Sequence, residues 1–326
     1  MAPNTTDLLP DGTAVVTRTI PVPDTLSEAA QAHLATGATW APEENSPEQA
    51  QQIAAARAMY PVDIEETTIA GVPVKIVRPQ HPHPHGAGRV LLNLHGGGFV
   101  TDSGSLLESI PIAVLTGLDV VTVLYRLAPQ HPFPAAVDDA AAVYEALLGA
   151  YQPSDIIVYG TSAGGTLSAQ LLVRAAERGL PMPAGLGFFT AIADLARPGD
   201  SMSFFGVPGL AGAQPVARGA RGLGGSLGLD DLTVPSASPA YANLTAFPPT
   251  LCIAGTRDML LSATCNFHRA LRRAGVDADL FVFDAMPHAH WYMVEIPEAR
   301  EATQWMAAWF LHKLGLALPA ALPPWT

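Results

Sequence analysis

The chain has 326 residues, of which 49% are apolar and 14% are charged, and its formal net charge is -12. This composition excludes a disordered protein, and the length suits one large α/β domain with a small appendage. The negative charge argues against nucleic acid and anionic membranes as partners, because a protein that binds phosphates needs a basic surface.

We expect a protein that is neither exported nor membrane-inserted. Residues 1–12 lack the basic start and apolar core of a signal peptide, and no apolar run reaches about 18 residues without proline or charge. Cys252 and Cys265 fall within a predicted strand and a predicted helix, so we interpret them as free thiols and not as a disulfide framework. These features predict a cytoplasmic location.

The first 60 residues show helix signals and no strong strand. The stretch Ser46-Pro47-Glu48-Gln49 supplies an N-cap, a first-turn proline and a capping-box glutamine, so a helix is predicted from there to about Tyr60. An earlier helix is predicted over residues 25–36. We predict that residues 1–60 form a helical cap segment ahead of a catalytic domain over residues 61–326; a surface extension is the alternative.

The predicted sheet begins with extended runs over residues 63–69 and 72–77. Pro73 has no amide hydrogen, so the second run is predicted to be an edge strand at best. Histidine and proline then alternate in a loop that contains His81, His83 and His85. The prolines hold this loop extended and no acidic or cysteine ligand stands near, so we favour a solvated loop over a metal site.

A strand over residues 89–94 leads into the glycine-rich loop His95-Gly96-Gly97-Gly98-Phe99. Three consecutive glycines let successive amides point to one spot, as an oxyanion hole requires. The spacing of a phosphate-binding loop is not found here. His95 is interpreted as a residue that organises the loop, because the general base is expected after the nucleophile in the chain.

The stretch Gly160-Thr161-Ser162-Ala163-Gly164-Gly165 joins a buried apolar strand to a helical pattern. In Gly-x-Ser-x-Gly the serine sits at the apex of a strained turn, and the flanking glycines leave room for the neighbouring strand and helix. The helix N-terminus adds free amides and a partial positive charge. We predict that Ser162 is a nucleophile; a glycine-rich turn with an incidental serine is the alternative.

Strand and helix patterns alternate along the rest of the chain. An apolar, β-branched run over residues 119–125 precedes a helix near residues 137–148, and a second helix follows Ser162. This alternation predicts an α/β fold with a mostly parallel central sheet and helices on both faces. The aromatic residues between Trp305 and Phe310 predict a last helix that faces the core.

Three motifs occur in a fixed order. They are His95-Gly96-Gly97-Gly98-Phe99, Tyr125-Arg126-Leu127-Ala128-Pro129 and Gly160-Thr161-Ser162-Ala163-Gly164-Gly165. With them the sequence, from about residue 62 to 310, resembles the hormone-sensitive-lipase-like branch of the α/β-hydrolases, the bacterial family IV esterases. The resemblance implies an α/β-hydrolase fold with a helical cap and a serine carboxylesterase that needs no cofactor and no metal.

The resemblance also implies an oxyanion hole formed by the amides of Gly97, Gly98 and Ala163. The chain departs from the family at Thr161 and at Leu124, where Asp is frequent. Neither departure touches a catalytic atom. Both indicate a subgroup of the family.

Asp258 follows an apolar strand over residues 249–255, at the edge where open α/β sheets place functional residues. We predict that it is the triad acid; a helix cap or surface carboxylate is the alternative. His288 and His290 both follow a strand over residues 279–283. The family pattern Gly-Met-x-His aligns with Met286 and selects His288 as the base, which leaves His290 on the pocket wall.

The glycine-rich stretch over residues 198–230 is predicted to be a flap or cap insertion over the site, with a surface loop as the alternative. The residues predicted to line the substrate pocket are Phe99, Phe204, Phe205, His290 and Trp291. The expected partner is a small neutral ester. The family often dimerises, so a homodimer is one option that the sequence leaves open.

The predicted reaction is hydrolysis of short- to medium-chain carboxylic esters through an acyl-enzyme. A lactone, carbamate or amide hydrolase would use the same triad. A non-catalytic receptor for small molecules is a further alternative, against which His288 at the matching position argues. An interaction protein would leave the triad and the glycine loop unexplained.

Overall fold

The computed structural model describes residues 5–37, 42–206 and 227–324. Its β-strands are β1 (Thr5–Leu8), β2 (Ala14–Thr17), β3 (Val62–Ile69), β4 (Val72–Pro79), β5 (Val90–Leu94), β6 (Val120–Val123), β7 (Ile156–Thr161), β8 (Gly185–Phe189), β9 (Thr250–Gly255) and β10 (Ala278–Phe283). Its α-helices are α1 (Glu28–Thr36), α2 (Pro47–Met59), α3 (Ser105–Thr116), α4 (Ala135–Leu148), α5 (Ala163–Glu177), α6 (Leu261–Arg273) and α7 (Pro297–Lys313).

Eight of the strands form one sheet in the order β10-β9-β8-β7-β5-β6-β4-β3. The five pairings from β10 to β6 are all parallel, whereas β4 is antiparallel to both β3 and β6. The predicted α/β-hydrolase fold with a mostly parallel sheet is therefore confirmed. Because parallel strands end at the same edge of a sheet, the loops after β5, β7, β8, β9 and β10 meet there.

Alternate residues of each central strand pack into different cores on the two faces of the sheet. Leu91 lies in the core that contains Trp309 of α7, whereas Leu92 lies in the core that contains Leu167 of α5. All five residues of β5 are buried. The near-continuous apolar strands of the sequence thus reflect burial on both faces, as expected for parallel strands under helices.

The prediction that Pro73 marks an edge strand is wrong, because β4 lies between β3 and β6 and the edge strand is β3. The four residues of β4 that pair with β6 begin at Val74, so the missing amide of Pro73 falls just outside that ladder. The Pro73 carbonyl still accepts a hydrogen bond from the Leu124 amide, 3.0 Å away. Proline is compatible with the first residues of a strand.

The sequence indicates no strong strand before residue 60, and the structure has one short hairpin there. β1 and β2 pair as an antiparallel hairpin, and every residue of both strands is exposed. The hairpin lacks a buried face and therefore lacks the apolar alternation that identifies a strand. The sequence Pro10-Asp11-Gly12 between the two strands nevertheless indicates a turn.

The predicted start of α2 is confirmed. Ser46 is the N-cap, and its hydroxyl accepts a hydrogen bond from the Gln49 amide, 3.1 Å away. The Gln49 side chain, however, accepts from the amide of Asn45 and not from that of Ser46.

None of the helices in the described ranges is long and apolar enough to cross a bilayer. Cys252 and Cys265 are both free thiols.

We predict that Leu91→Ala lowers the free energy of unfolding by about 2–5 kcal/mol, because Leu91 is fully buried in the central strand β5 and its loss leaves a cavity. Leu8→Ala is the matched control: Leu8 is 76% exposed on the hairpin, so its truncation should change the free energy by less than about 0.5 kcal/mol. Urea-induced unfolding of both variants measures the difference. Equal effects of the two substitutions would contradict this assignment of the core.

Candidate active site

The turn at Ser162 is shaped by close approaches of backbone to backbone. Ser162 adopts φ 58° and ψ -121°, a conformation that non-glycine residues seldom occupy. A Cβ atom at Gly160 or at Gly164 would clash with the carbonyl oxygen of Leu94, the last residue of β5. These two glycines therefore let the turn press against β5, and the serine hydroxyl is left partly exposed at the edge of the sheet.

The structure brings the three residues of the predicted triad into one hydrogen-bonded row. Nε2 of His288 lies 3.0 Å from Oγ of Ser162, and Nδ1 lies 3.1 Å from Oδ1 of Asp258. His288 and Asp258 are both buried. With a charged Asp258, the ring proton belongs on Nδ1, which leaves Nε2 free to accept a proton from the serine hydroxyl.

The order of strands explains why these residues meet. Ser162 follows β7, Asp258 lies beyond β9 and His288 lies beyond β10, and all three strands are parallel. The strand between β7 and β9 is β8, so the residue after β8 must lie between the nucleophile and the acid. That residue is Thr190, which also has a positive φ of 41°.

Thr190 is a site residue that the sequence reasoning missed. Its hydroxyl donates a hydrogen bond to Oδ2 of Asp258 and lies 3.1 Å from Nδ1 of His288. Burial opposes ionisation of Asp258, but the charge of His288 and the hydrogen bonds from His288, Thr190 and the Leu260 amide lower its pKa below the ordinary range. Thr190 could have been found by asking which residue follows the strand between those of Ser162 and Asp258.

The glycine loop after β5 lies beside the nucleophile turn. Gly97 has φ 126°, and a Cβ atom there would clash with the Thr101 carbonyl, so only glycine suits this position. The amides of Val100 and Thr101 both donate to the Gly97 carbonyl, which fixes the loop as a tight turn. Gly97 and Gly98 are both partly exposed.

The amides predicted to form the oxyanion hole have no other use. Among the hydrogen bonds of the described residues, none employs the amide of Gly97, Gly98 or Ala163 as a donor. Ala163 is the first residue of α5, so its amide belongs to the helix N-terminus, where intrahelical acceptors are missing. These three amides are therefore free to bind an oxyanion.

His95 holds the glycine loop through its ring, as the sequence predicts. Its Nδ1 lies 2.8 Å from the Gly96 carbonyl, and its ring stacks on Tyr125 with the centroids 4.2 Å apart. The Tyr125 hydroxyl in turn donates to the His95 carbonyl at 2.7 Å. The second of the three motifs thus contacts the first.

Two of the predicted pocket residues have little exposed surface. His290 and Trp291 are buried, and Trp291 donates from Nε1 to the Thr161 hydroxyl at 3.1 Å. Both side chains are thus covered by protein in this structure, and their place in the pocket wall stays a prediction. Burial also lowers the pKa of His290 to about 4, so this imidazole is neutral at neutral pH.

The aromatic residues predicted for the pocket differ in exposure. Phe99 is buried and lines a small cleft with Ala128 and Leu227, whereas Phe204 is 52% exposed and Phe205 is half-buried. Most of the predicted flap, residues 207–226, lies outside the described residues. Its start is held close to the acid, because the Ser201 hydroxyl donates to the Met259 carbonyl at 2.8 Å.

The histidine loop makes structural contacts. His83 donates its backbone amide to the Gly117 carbonyl, and its Nε2 lies 3.1 Å from the Ala317 carbonyl. Within the described residues, no group of three or more His, Cys, Asp or Glu side chains is arranged to hold a metal ion.

A family model described as the α/β hydrolase fold matches residues 91–292. An acetyl-hydrolase of Streptomyces hygroscopicus is 33% identical over 225 residues, which span 67% of this chain and 73% of the relative. Among solved structures, the esterase E25 matches with a TM-score of 0.77 and 30% identity over 91% of this chain and 98% of its own. EstE7, a homologue of hormone-sensitive lipase from a metagenome library, matches with a TM-score of 0.73 and 28% identity over 88% and 98%.

We predict that Thr190→Val lowers the turnover number about tenfold or more, because a hydrogen bond to a buried charged carboxylate contributes at least about 1.5 kcal/mol. Its loss also raises the pKa of Asp258. Thr190→Ser keeps the hydroxyl and should stay near the wild-type rate. Steady-state ester hydrolysis by both variants measures the effect, and an equal loss in the two variants would show that packing, not the hydroxyl, matters.

Proposed function

The chain belongs to the α/β-hydrolase family, within its hormone-sensitive-lipase-like esterases, and is a carboxylic ester hydrolase; from this premise we propose that Ser162, His288 and Asp258 are its catalytic triad. The observation that carries the proposal is the row of contacts from Ser162 Oγ to His288 Nε2 (3.0 Å) and from His288 Nδ1 to Asp258 Oδ1 (3.1 Å). Nucleophile, base and orienting acid are recognised by such geometry.

In the acylation step, His288 Nε2 removes the proton of Ser162 while Oγ attacks the ester carbonyl. The carbonyl oxygen gains negative charge, and the amides of Gly97, Gly98 and Ala163 stabilise it. Asp258 stabilises the imidazolium that forms. When the tetrahedral intermediate collapses, the imidazolium gives its proton to the leaving alcohol, and the acyl group stays on Ser162.

In the deacylation step, a water molecule gives a proton to His288 and attacks the acyl carbon. A second tetrahedral intermediate forms at the same amides; when it collapses, the His288 imidazolium returns its proton to Ser162 Oγ, and the carboxylic acid is released. The side chains and amides named here supply the nucleophile, the base and the oxyanion donors, so these steps need no metal or organic cofactor.

We propose that the N-terminal segment predicted over residues 1–60 acts as part of a cap. It contacts loops at the catalytic edge of the sheet: Gln49 donates to the Asp102 carbonyl at 2.9 Å, and Glu44 accepts from the Thr101 hydroxyl at 2.6 Å. On the other side, Gln52 contacts the Met293 sulfur at 2.8 Å. Residues after the oxyanion loop and after His288 are thereby joined through one helix, α2, and the segment that precedes it.

The remaining features of the proposed substrate and setting rest on composition and placement. A small neutral ester of short to medium chain length suits an acidic protein, which would repel a negatively charged substrate. Two free thiols agree with a reducing cytoplasm. A monomer and a homodimer are both compatible with the site, because one chain supplies the whole triad.

We predict that Ser162→Ala lowers turnover of p-nitrophenyl esters, tested from acetate to palmitate, by about 10⁴ to 10⁶, because the triad residues act as a unit. Ser154→Ala is the matched control: Ser154 is exposed just before β7, at the opposite end of the strand that leads to Ser162. It should keep the wild-type rate. Absence of turnover on every ester in folded wild-type protein would favour a lactone or carbamate substrate or a receptor.

We further predict that Phe204→Ala and Phe205→Ala extend the range of accepted esters toward longer acyl chains. The two rings lie close to each other and soon after Ser201, whose hydroxyl donates to the carbonyl of Met259, the residue after Asp258. Removing either ring opens space there. The measurement is the ratio of kcat/KM for p-nitrophenyl octanoate to that for the acetate. An unchanged ratio in both variants would remove these residues from the pocket.

A further inference from the structure

The carboxyl group of Glu108 lies between the two catalytic loops. Its Oε1 accepts a hydrogen bond from the Gly96 amide at 2.8 Å and from the Tyr292 hydroxyl at 2.6 Å, and its Oε2 accepts from the Asn93 side chain at 2.9 Å. Gly96 immediately precedes the oxyanion glycines, and Tyr292 lies four residues after His288. One buried side chain on α3 therefore holds both loops.

Two glycines make room for this arrangement. A Cβ atom at Gly104 would clash with Glu108 Oε1 and with the Tyr292 hydroxyl, and one at Gly96 would lie 2.8 Å from that hydroxyl. The phenol and the carboxyl are thus enclosed by backbone on two sides. Such a cradle leaves the carboxyl few other positions, so its contacts fix the loops to each other.

Glu108 is buried without a cationic partner. It is 4% exposed, and none of the ion pairs within the described residues includes it. All three of its hydrogen-bond donors are neutral groups. Burial, opposed by these hydrogen bonds, raises the pKa of Glu108 to about 7, so the carboxyl changes charge near neutral pH.

Four titratable groups interact electrostatically with Glu108, and each keeps a constant charge near neutral pH. The titratable groups whose charges interact with Glu108 are Asp102, Tyr125, Tyr159 and Tyr292. Burial raises the pKa of all three phenols well above the ordinary value, so they stay neutral. The pKa of Asp102 is lowered despite its burial, through His95, Ser105 and Lys75, so it stays charged.

We propose that the Glu108 carboxylate is a positioning residue that holds the oxyanion loop in register with the histidine loop, and that its protonation loosens this coupling. The proposal rests on the proposed function, because it assigns Glu108 an effect on the oxyanion amides of that site. Glu108 itself touches no reacting atom. It acts through the Gly96 amide on one side and through Tyr292 on the other.

The physical reason is the number of acceptor positions. An ionised carboxyl accepts all three hydrogen bonds, whereas a protonated one carries its own donor and loses acceptor capacity at the oxygen that bears the proton. Oε1 accepts from two donors and Oε2 from one, so a proton on Oε1 displaces the Gly96 amide or the Tyr292 hydroxyl, and a proton on either oxygen removes the negative charge that strengthens both of these hydrogen bonds. A displacement of Gly96 moves the adjacent Gly97 amide, and oxyanion donors act only at close distance.

The test compares Glu108→Gln with wild type across pH, using p-nitrophenyl acetate. Gln keeps the shape but cannot accept from all three donors. At about pH 8.5 we expect a kcat lower by about 10- to 100-fold with a nearly unchanged KM, less than the loss of a whole oxyanion donor. At about pH 5.5, where wild-type Glu108 is protonated, the ratio of wild-type to variant kcat/KM should approach one.

Tyr292→Phe gives a second, independent reading. The Tyr292 hydrogen bond lowers the pKa of Glu108, so its removal should shift the pH profile of kcat/KM to higher pH relative to that of wild type. In the double variant with Glu108→Gln this shift should vanish. If Glu108→Gln does not fold, the comparison of Tyr292→Phe with wild type alone still tests the proposal. Glu66→Gln, at an exposed position of the edge strand β3, is the matched control and should follow wild type at every pH.

A measurement without turnover separates this proposal from the proposed function. In protein labelled with 15N-glycine, the Gly96 amide resonance should move with pH near 7 in wild type and stay fixed in Glu108→Gln. An inactive wild type would overturn the esterase proposal while this titration still tests Glu108. A pH-independent Gly96 resonance in wild type, or a ratio of kcat/KM that is constant between pH 5.5 and 8.5, would overturn the role of Glu108.

Discussion

The contact between the end of β5 and the turn at Ser162 is the constraint on which the site depends. The Leu94 carbonyl occupies the space where Gly160 and Gly164 would carry side chains. Because this approach is so close, the loop that continues β5 lies beside the turn at Ser162. Any residue larger than glycine at these two positions would push the turn away from β5, so the fold and the proposed active site impose the same requirement there.

The parts of the molecule that the sequence predicted are those with a periodic or a motif signal. Buried strands such as β5 and β7 are continuous apolar runs, the Ser46 cap has its own short pattern, and Ser162 lies in a distinctive pentapeptide. Thr190 and Glu108 have no such signal, because each matters only through contacts with residues far away in the chain. Their roles follow from the order of the strands, which a single sequence does not state.

The pKa values of two buried carboxyl groups at this site are shifted in opposite directions. Asp258 faces an imidazole that becomes charged in the reaction, and this partner together with hydrogen-bond donors outweighs the cost of burial, so its pKa is lowered. Glu108 has neutral donors only, and burial prevails, so its pKa is raised. One carboxyl group thus stays negatively charged beside His288, whereas the other, next to the glycine loop, changes its charge near neutral pH.

The segment from His288 to Tyr292 connects these two carboxyl groups. His288 contacts Asp258, Trp291 donates to Thr161 in the nucleophile turn, and Tyr292 donates to Glu108. His290 and Trp291, which the sequence predicts for the pocket wall, are buried within this segment. A base whose neighbours are fixed to the acid, the nucleophile turn and the oxyanion loop has little freedom of its own. The contacts at both ends of this short segment thus fix where His288 lies relative to Ser162.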